Sequence, residues 1–372
     1  MKKFTVLIVI MFILSSIRAQ NLTEIYSGPG IIDDIAITND GAIYSVGEKI
    51  IIIKNGQTFE YWPPVELFSV FPISANEAWA VGNSAILHYN GSSWSSLTNP
   101  AGGCLYRVWG IDGNIYITGR NGTTSFLLKL VSGSFVKKAE EANSLFLGMN
   151  GYSSEEIFIA GSYTDTVDLI ERPAIYIWDG DTAVYRHITF YNYPNLEGMS
   201  FNQTAKTFTT NTSGAYDYAM TITDHYFGGN DLVYHQFWGW YPISAYSGIA
   251  RSVCSSPDGL TFMANGNGIY MVNSDSIGQS YQTLLTEQNC FDVEYFNNEV
   301  YILVDRTTIK KFDLNITLID EFRPKPKSES TGLTEFYNLS GQKISGLNKN
   351  FPAGIYLKKT GNKVEKIHYL GE

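Results

Sequence analysis

The chain consists of short apolar runs separated by turn residues, and the stretch from Phe71 to Trp94 shows this arrangement most clearly. It reads as strand, turn, strand, turn, strand, glycine turn and strand. Apolar runs of this length, bounded by Gly, Asn and Asp, are typical of β-strands. Variants of the stretch recur from about Asp33 to about Phe322, so the sequence predicts a series of four-stranded units.

An aromatic residue opens the second strand of each predicted unit and sets the period of the repeat. Successive aromatic residues lie 35, 37, 42, 50, 54 and 39 positions apart. This is the spacing of β-propeller blades that carry insertions. The aromatic residues are Tyr44, Trp79, Tyr116, Phe158, Phe208, Phe262 and Tyr301.

An apolar residue marks the first strand of each unit about nine positions earlier, and its predecessor is small or polar. An inner strand beside a water-filled central channel needs this pattern. The pairs are Asp34 with Ile35, Ser69 with Val70, Arg107 with Val108, Gly148 with Met149, Gly198 with Met199, Ser252 with Val253, and Asp292 with Val293.

The sequence therefore predicts an all-β fold, a β-propeller of seven blades plus a small C-terminal β domain. Residues 22–26 are expected to join the last blade and close the ring, which hides sheet edges that would otherwise favour aggregation. Unit five (Leu196–Ile243) matches the repeat least well because a long polar stretch separates its second and third strands. Six blades with one long excursion is the alternative. A tandem of β-sandwiches would show less regular spacing.

The run Trp79-Ala-Val-Gly82, followed by the stretch from Ile86 to Trp94, resembles the repeats of kelch-like and related bacterial surface propellers. The likeness covers roughly residues 33–322. It implies a propeller scaffold, and such scaffolds serve both enzymes and binding proteins.

The charge balance excludes some partners. The chain has 26 Lys and Arg against 36 Asp and Glu, a net charge of −10. Nucleic acid and anionic membranes are therefore disfavoured as partners. Three cysteines are too few for a disulfide scaffold, and we expect buried apolar thiols. A bridge between Cys254 and Cys290 is the alternative.

The first 19 residues have the layout of a secretory signal peptide. Lys2 and Lys3 precede an apolar run from Thr5 to Ile17, and cleavage after Ala19 would leave Gln20 first. The run is too short to span a membrane. A mature protein without a transmembrane span, secreted or on the outer cell surface, is expected.

The chain after the repeats forms a second targeting region. The predicted propeller domain covers residues 20–323, a Pro- and Lys-rich linker covers 324–331, and a short β domain covers 332–372. The characteristic residues of this last domain are Tyr337, Asn338, Leu339, Gly341, Gln342, Gly354, Ile355 and Tyr356. With the basic ending, they resemble the C-terminal sorting domain of Bacteroidetes proteins exported by the type IX secretion system. The resemblance implies the type IX secretion machinery as a partner, removal of the tail, and release or surface attachment.

Insertions in units four and five bring aromatic and acidic residues to one face of the predicted propeller. Connections between second and third strands emerge on the same face as connections between blades. Aromatic rings near carboxylates suit sugar rings or protein surfaces. The candidate ligand-binding residues are Tyr163, Asp165, Asp168, Tyr191, Tyr193, Asp224, His225, Tyr226 and Tyr246. The alternative is that the tyrosines pack the loops onto the propeller.

Four charged residues are expected to form a polar ring in the channel: Asp34, Arg107, Arg251 and Asp292. A glycosidase would need two carboxylates roughly 5–10 Å apart. The sequence does not give the distance between the carboxylates of Asp34 and Asp292. The chain has no nucleophile elbow, phosphate loop or dinucleotide-binding glycine pattern. An enzyme is therefore the less favoured interpretation.

The five histidines and three cysteines show no metal-ligand spacing, so neither a metal nor a cofactor is predicted. Calcium bound by Asp165 and Asp168 is the alternative. The sequence predicts a secreted or cell-surface binding protein that recognises an extracellular glycan or protein through loops of blades four and five. An extracellular carbohydrate-active enzyme, hydrolase or lyase, and a structural protein of the cell envelope are the alternatives.

Overall fold

The structure is a computed structural model that describes residues 22–314, with gaps, and four strands between Thr334 and Tyr369. The gaps within the first range are 155, 181–183, 189–194, 203–206, 214–218, 224–239, 243–249, 257–259, 273–280 and 288. Between 181 and 250, and after 333, only the backbone of the strands is described. The predicted signal peptide (1–19) and linker (324–331) lie outside the described residues.

The described regular elements are antiparallel β-strands, and consecutive strands form four-stranded sheets. The first strand, β1 (Thr23–Ser27), is the exception to chain order. Blade one contains β2 (Ile32–Ile37), β3 (Ile43–Gly47), β4 (Ile50–Lys54) and β5 (Gln57–Tyr61). Blade two contains β6 (Ser69–Ser74), β7 (Glu77–Gly82), β8 (Ala85–Tyr89) and β9 (Trp94–Leu97). Blade three contains β10 (Cys104–Ile111), β11 (Asn114–Asn121), β12 (Thr124–Val131) and β13 (Ser134–Ala142). Blade four contains β14 (Ser144–Ser153), β15 (Glu156–Thr164), β16 (Glu171–Trp178) and β17 (Val184–Ile188).

The following sheets continue the same order. One sheet contains β18 (Asn195–Asn202), β19 (Thr207–Ser213), β20 (Ala219–Thr223) and β21 (Trp240–Pro242). The penultimate blade contains β22 (Ala250–Ser255), β23 (Thr261–Asn265), β24 (Gly268–Val272) and β25 (Tyr281–Leu285). The last blade contains β26 (Cys290–Phe296), β27 (Glu299–Val304) and β28 (Thr308–Asp313).

The N-terminal strand completes the last blade, as the sequence predicts. β1 pairs antiparallel with β28, with Thr23 opposite Lys311 and Ser27 opposite Thr308. The first strands of neighbouring sheets contact each other around the molecule, and β2 contacts β26. The sheets therefore form a closed ring, a β-propeller, with the first strands innermost.

The predicted count of seven blades has to be corrected. Six four-stranded blades have side-chain packing in the described structure. At the predicted fifth unit, 196–243, only backbone pairing of β18 to β21 is described. The described propeller therefore has six packed blades, the number that the sequence left open as the alternative.

The hydrophobic cores lie between neighbouring blades, because each sheet packs one face against the next. One core joins Tyr44 of blade one to Val70 of blade two, and another joins Trp79 of blade two to Val108 of blade three. The predicted aromatic residues at positions 44, 79, 116, 158, 262 and 301 are all buried in the described structure. The repeat period thus reports the residues that fill the spaces between blades.

Close backbone approach explains a glycine at the end of several second strands. A β-carbon on Gly47 would lie 2.1 Å from the carbonyl oxygen of Ile31, and one on Gly161 would lie 1.7 Å from that of Leu145. These carbonyls belong to residues just before or at the start of the inner strand, where the ladder register shifts. Only glycine leaves room for the backbone there.

Three further features complete the fold. The C-terminal strands β29 (Thr334–Tyr337), β30 (Lys343–Ile344), β31 (Gly354–Thr360) and β32 (Lys363–Tyr369) form a sheet in the order β30-β29-β31-β32. Cys104, Cys254 and Cys290 are free thiols, so the alternative of a Cys254–Cys290 bridge is wrong. In the residues described here, no helix has the length and apolar character of a membrane span.

Candidate functional site

The antiparallel blades give the propeller two different faces. The loop face carries the connections between second and third strands and those from one blade to the next. The turn face carries the connections between first and second strands and between third and fourth strands. The assignment follows from strand direction, because successive strands of a sheet run in opposite directions.

Polar side chains of the inner strands join neighbouring blades across the channel wall. The acceptor is the polar residue that precedes the apolar marker residue of one inner strand. The donor is the backbone N–H of the apolar marker residue in the next blade. The bonds run from Ile35 N–H to Asp292 Oδ2 (2.8 Å), from Val70 N–H to Asp34 Oδ2 (2.8 Å), and from Val108 N–H to Ser69 Oγ (3.2 Å). The polar predecessor that the sequence places beside a wet channel therefore acts as a link between blades.

Three of the four predicted ring residues come together in the structure. Arg107 Nη1 donates to Asp34 Oδ1 at 2.9 Å, and the charge of Asp34, followed by that of Asp292, holds the pKa of Arg107 above its usual value. Arg251 is placed differently, since its guanidinium stacks on Phe291 with Cζ 3.8 Å from the ring centroid. The predicted polar ring is therefore a cluster of acidic side chains with one arginine close to it.

Burial governs the chemistry of this cluster. It raises the pKa of Asp292 to about 7, with a further contribution from the charge of Asp34. Burial and then Asp292 raise the pKa of Glu294 well above its usual value. The sequence analysis missed Glu294, although it lies two positions after Asp292 on the same side of β26.

The channel carboxylates serve as structural acceptors. Asp34 and Asp292 are 4% and 6% exposed, and each accepts a backbone amide from the next blade. Asp292 Oδ1 also accepts the Ser252 hydroxyl at 2.5 Å and the Val293 amide at 2.9 Å. The oxygen lone pairs of Asp34 and Asp292 are occupied by hydrogen bonds that join the blades. This disfavours the use of the two residues as a catalytic acid pair.

The loop between β15 and β16 is the described part of the predicted binding region, and its own side chains fix its shape. Asp165 Oδ1 accepts the N–H of Val167 at 2.8 Å, and Asp168 Oδ1 accepts the N–H of Ile170 at 3.0 Å. The Leu169 N–H donates to the Asp165 carbonyl at 2.9 Å. These bonds form side-chain-closed turns at the tip of the loop.

A single arginine braces both acidic residues of this loop. Arg172 Nη1 lies 3.2 Å from Asp165 Oδ2 and 3.1 Å from Asp168 Oδ1, and Nη2 pairs with Asp168 Oδ2. Hydrogen bonds from Arg172 lower the pKa of Asp168. Both carboxylates are therefore committed to Arg172, which disfavours the calcium alternative. Within the described ranges, no three His, Cys, Asp or Glu side chains are grouped as a metal site requires.

The braced loop presents three apolar side chains to solvent on the loop face. Val167 is 92% exposed, Leu169 is 76% exposed and Ile170 is 52% exposed. We refer to these three residues as the apolar tip. The sequence analysis missed it because it weighed the acids and tyrosines of this loop; the signal was an apolar triplet interspersed with aspartates.

The other predicted ligand-binding residues have different outcomes. Tyr163 is only 4% exposed and packs in the core between blades three and four, so the packing alternative applies to it. Asp165 and Asp168 shape the apolar tip. The remaining candidates, Tyr191, Tyr193, Asp224, His225, Tyr226 and Tyr246, lie outside the described residues.

The turn face has a shallow cavity of about 360 Å³ at blades one to three. Its walls come from the ends of the inner strands and the connections that follow them, with Ile37, Phe71, Pro72 and Ile111 among the lining residues. This cavity is on the side opposite the apolar tip. The sequence analysis placed binding on the loop face and predicted nothing here.

Comparisons with known proteins show the fold. No family model and no curated protein matches the chain. Among solved structures, YCF48 bound to D1 peptide is 16% identical, with a TM-score of 0.59 over 81% of this chain and 96% of that one. The WD40 β-propeller domain of Doa1 is 12% identical, with a TM-score of 0.59 over 80% and 97%.

An extracellular domain also matches, that of the putative one component system BT4673 from B. thetaiotaomicron. It is 13% identical, with a TM-score of 0.57, and the match covers 95% of this chain and 46% of that one. The structural similarity establishes a β-propeller fold. At identities this low, the activity has to be argued from the site.

Proposed function

We propose that this protein is a secreted or cell-surface binding propeller that recognises a protein partner through its apolar tip. The observation that carries the proposal is the exposure of Val167, Leu169 and Ile170 on a loop that is held in one shape. Exposed apolar side chains that are clustered and rimmed by polar groups mark interaction surfaces.

The rigidity of the loop supports recognition. A loop that is already ordered loses little conformational freedom on binding, so more of the contact energy appears as affinity. Asp165, Asp168 and Arg172 surround the apolar tip with charge, which matches the apolar centre and polar rim of a protein interface. A sugar would find few hydrogen-bonding groups at the tip itself.

The solved propellers give the proposal a precedent in form. YCF48 is seen bound to a peptide, and the BT4673 domain is extracellular. Both are similar to this chain in fold, and the transfer of a binding role from them is part of the proposal. In such folds, exposed loops commonly bind the ligand and a rigid scaffold holds them in position.

Site-specific photocrosslinking tests the proposed surface. A photoreactive phenylalanine analogue at position 167 of the protein without residues 1–19 should crosslink one or a few proteins from the host cell surface. The same analogue at position 136 provides the matched control, because Val136 is 42% exposed on the outer strand β13, away from the tip. Leu169→Asp should weaken the affinity for the crosslinked protein by about tenfold or more. An identical product pattern from both positions, or none from position 167, would refute the proposed surface.

We further propose export by the type IX secretion system, followed by removal of the tail. The support is the resemblance of residues Tyr337–Gln342 and Gly354–Tyr356 to the sorting domain, together with the signal-like first 19 residues. Strands β29 to β32 fall within the predicted domain.

Deletion of residues 331–372 tests this route. The truncated protein should accumulate in the periplasm of its native host, because the propeller would still cross the inner membrane but lack its outer-membrane address. Cell fractionation and surface immunolabelling provide the measurement. A Tyr163→Phe variant with the tail intact is the control for delivery, and surface delivery of the truncated protein would contradict the proposal.

A further inference from the structure

The seam between the last blade and blade one contains a fully buried lysine among polar and aromatic residues. Lys49 lies in the connection between β3 and β4, and its side chain is 0% exposed. Its ammonium group donates to the Tyr26 hydroxyl and, at 3.2 Å, to Glu60 Oε1. Tyr26 belongs to β1 and Glu60 to β5, so the lysine links the outer strands of two blades.

Trp62 covers this lysine and leaves most of its own surface open. Lys49 Nζ lies 5.6 Å from the Trp62 ring centroid and 5.0 Å from the Tyr26 ring centroid. Trp62 is nevertheless 66% exposed, the most exposed aromatic side chain among the described residues. Pro63 and Pro64 follow it and restrict the backbone. The indole is thus fixed from beneath, with an open face on the loop face.

Glu60 places a carboxylate beside this ring. Trp62 directly follows β5, and both Glu60 and Trp62 contact Lys49, which brings the carboxylate and the ring to the same place. Tyr26 donates to Glu60 Oε1 at 2.5 Å; this bond, together with the one from Lys49, lowers the pKa of Glu60. Both bonds use Oε1, and the side chain is 38% exposed, so Oε2 remains an acceptor for a ligand.

We propose that Trp62 and Glu60 form a binding site for a neutral saccharide. The apolar C–H face of a pyranose would stack on the open face of Trp62. Its adjacent hydroxyl groups would donate to Glu60 Oε2, which is ionised and oriented before the sugar arrives. Apolar contact with a ring and a fixed polar acceptor are the two parts of sugar recognition that a small exposed site can supply.

Charge selects a neutral saccharide over other ligands. An anionic ligand would meet Glu60 and a chain of net charge −10, while the compensating ammonium of Lys49 is buried. A cationic ligand would bring a second positive charge to a ring that already lies over Lys49. The hydroxyl groups of a neutral sugar meet neither obstacle.

Saturation-transfer-difference NMR on the full mature chain tests this site with four trisaccharide probes: cellotriose, xylotriose, mannotriose and chitotriose. At least one should receive saturation, strongest at the ring protons of one sugar face. Trp62→Leu should weaken its affinity about tenfold, because leucine still covers Lys49 but offers no flat face. Glu60→Gln should weaken it about fivefold through loss of the charged acceptor.

Two controls separate this site from the apolar tip and from loss of folding. Leu169→Asp should leave the transfer unchanged, since it alters only the proposed protein-binding surface. If Trp62→Leu lowers the midpoint of thermal unfolding, the saturation transfer of Glu60→Gln is used to judge the site instead. The proposal is overturned if no probe receives saturation at millimolar concentration, or if both variants retain the transfer of the intact protein.

Discussion

Asp34→Ala should lower the free energy of unfolding by about 3–5 kcal/mol, because it removes a buried charge that two partners depend on. Asp34 is 4% exposed and accepts both the amide of Val70 and the guanidinium of Arg107. Alanine would leave a buried amide without its acceptor and an arginine without its closest counter-charge. Both losses fall on the inner strands, where blades one, two and three meet. Chemical denaturation followed by tryptophan fluorescence would measure the change.

Glu140→Ala is the matched control for Asp34→Ala. Glu140 also pairs with a cation, Lys137, but its side chain is 56% exposed and the pair lies on the surface of blade three. Exposed pairs contribute little, so the expected change is under about 0.5 kcal/mol. Equal effects of the two substitutions would show that the inner-strand bonds do not stabilise the ring.

The second large effect is a loss of stability as pH rises from about 4 to about 7. Burial raises the pKa of Asp292 to about 7, whereas an aspartate in the unfolded chain titrates near pH 3.9. Between these values the folded protein holds a proton that the unfolded chain has released. The stabilisation is therefore complete below about pH 4 and is lost as pH rises toward the folded pKa. Glu294, whose pKa is also raised, acts in the same direction.

Asp292→Asn separates this titration from other pH effects. The groups facing Asp292 are Asp34, Glu294, Arg107 and Ser252. Asparagine has the size of the protonated acid and no titratable proton. Its NH2 group replaces one of the two accepting oxygens, so the variant loses a hydrogen bond at every pH while its pH dependence decreases. The intact protein should lose on the order of 2–4 kcal/mol across the window, and the variant should lose clearly less. Denaturation midpoints measured at steps between these pH values would show the difference. A variant slope as steep as that of the intact protein would assign the dependence to other groups.

The period of the aromatic residues made the propeller predictable. Tyr44, Trp79 and their counterparts are buried between blades, so their spacing reports the size of a blade directly. Closure by residues 22–26 was predictable for the same reason, since β1 supplies the fourth strand that the last unit lacks. The blade count was not secure from sequence, because insertions obscure the period in residues 196–243.

The sites were less predictable because they depend on contacts between distant parts of the chain. Nothing in the sequence around Lys49 indicates that Tyr26 and Glu60 will meet it across a seam. Tyr163 looked like a binding residue, but the side-chain direction that buries it is set by strand register. The polar predecessors of Ile35 and Val70 were found by pattern, yet their partners in the next blade appear only when the ring is closed.

Completion of the last sheet by β1 also sets the order of events during synthesis. The side chains of Ser27 and Thr308 hydrogen-bond across 281 positions of sequence, so the final sheet has to wait until nearly the whole propeller has been made. Until then β1 has no partner and β28 exposes an unpaired edge, and contacts between such remote positions form slowly. The ring is therefore completed only after both its N-terminal strand β1 and its last strand β28 have been made.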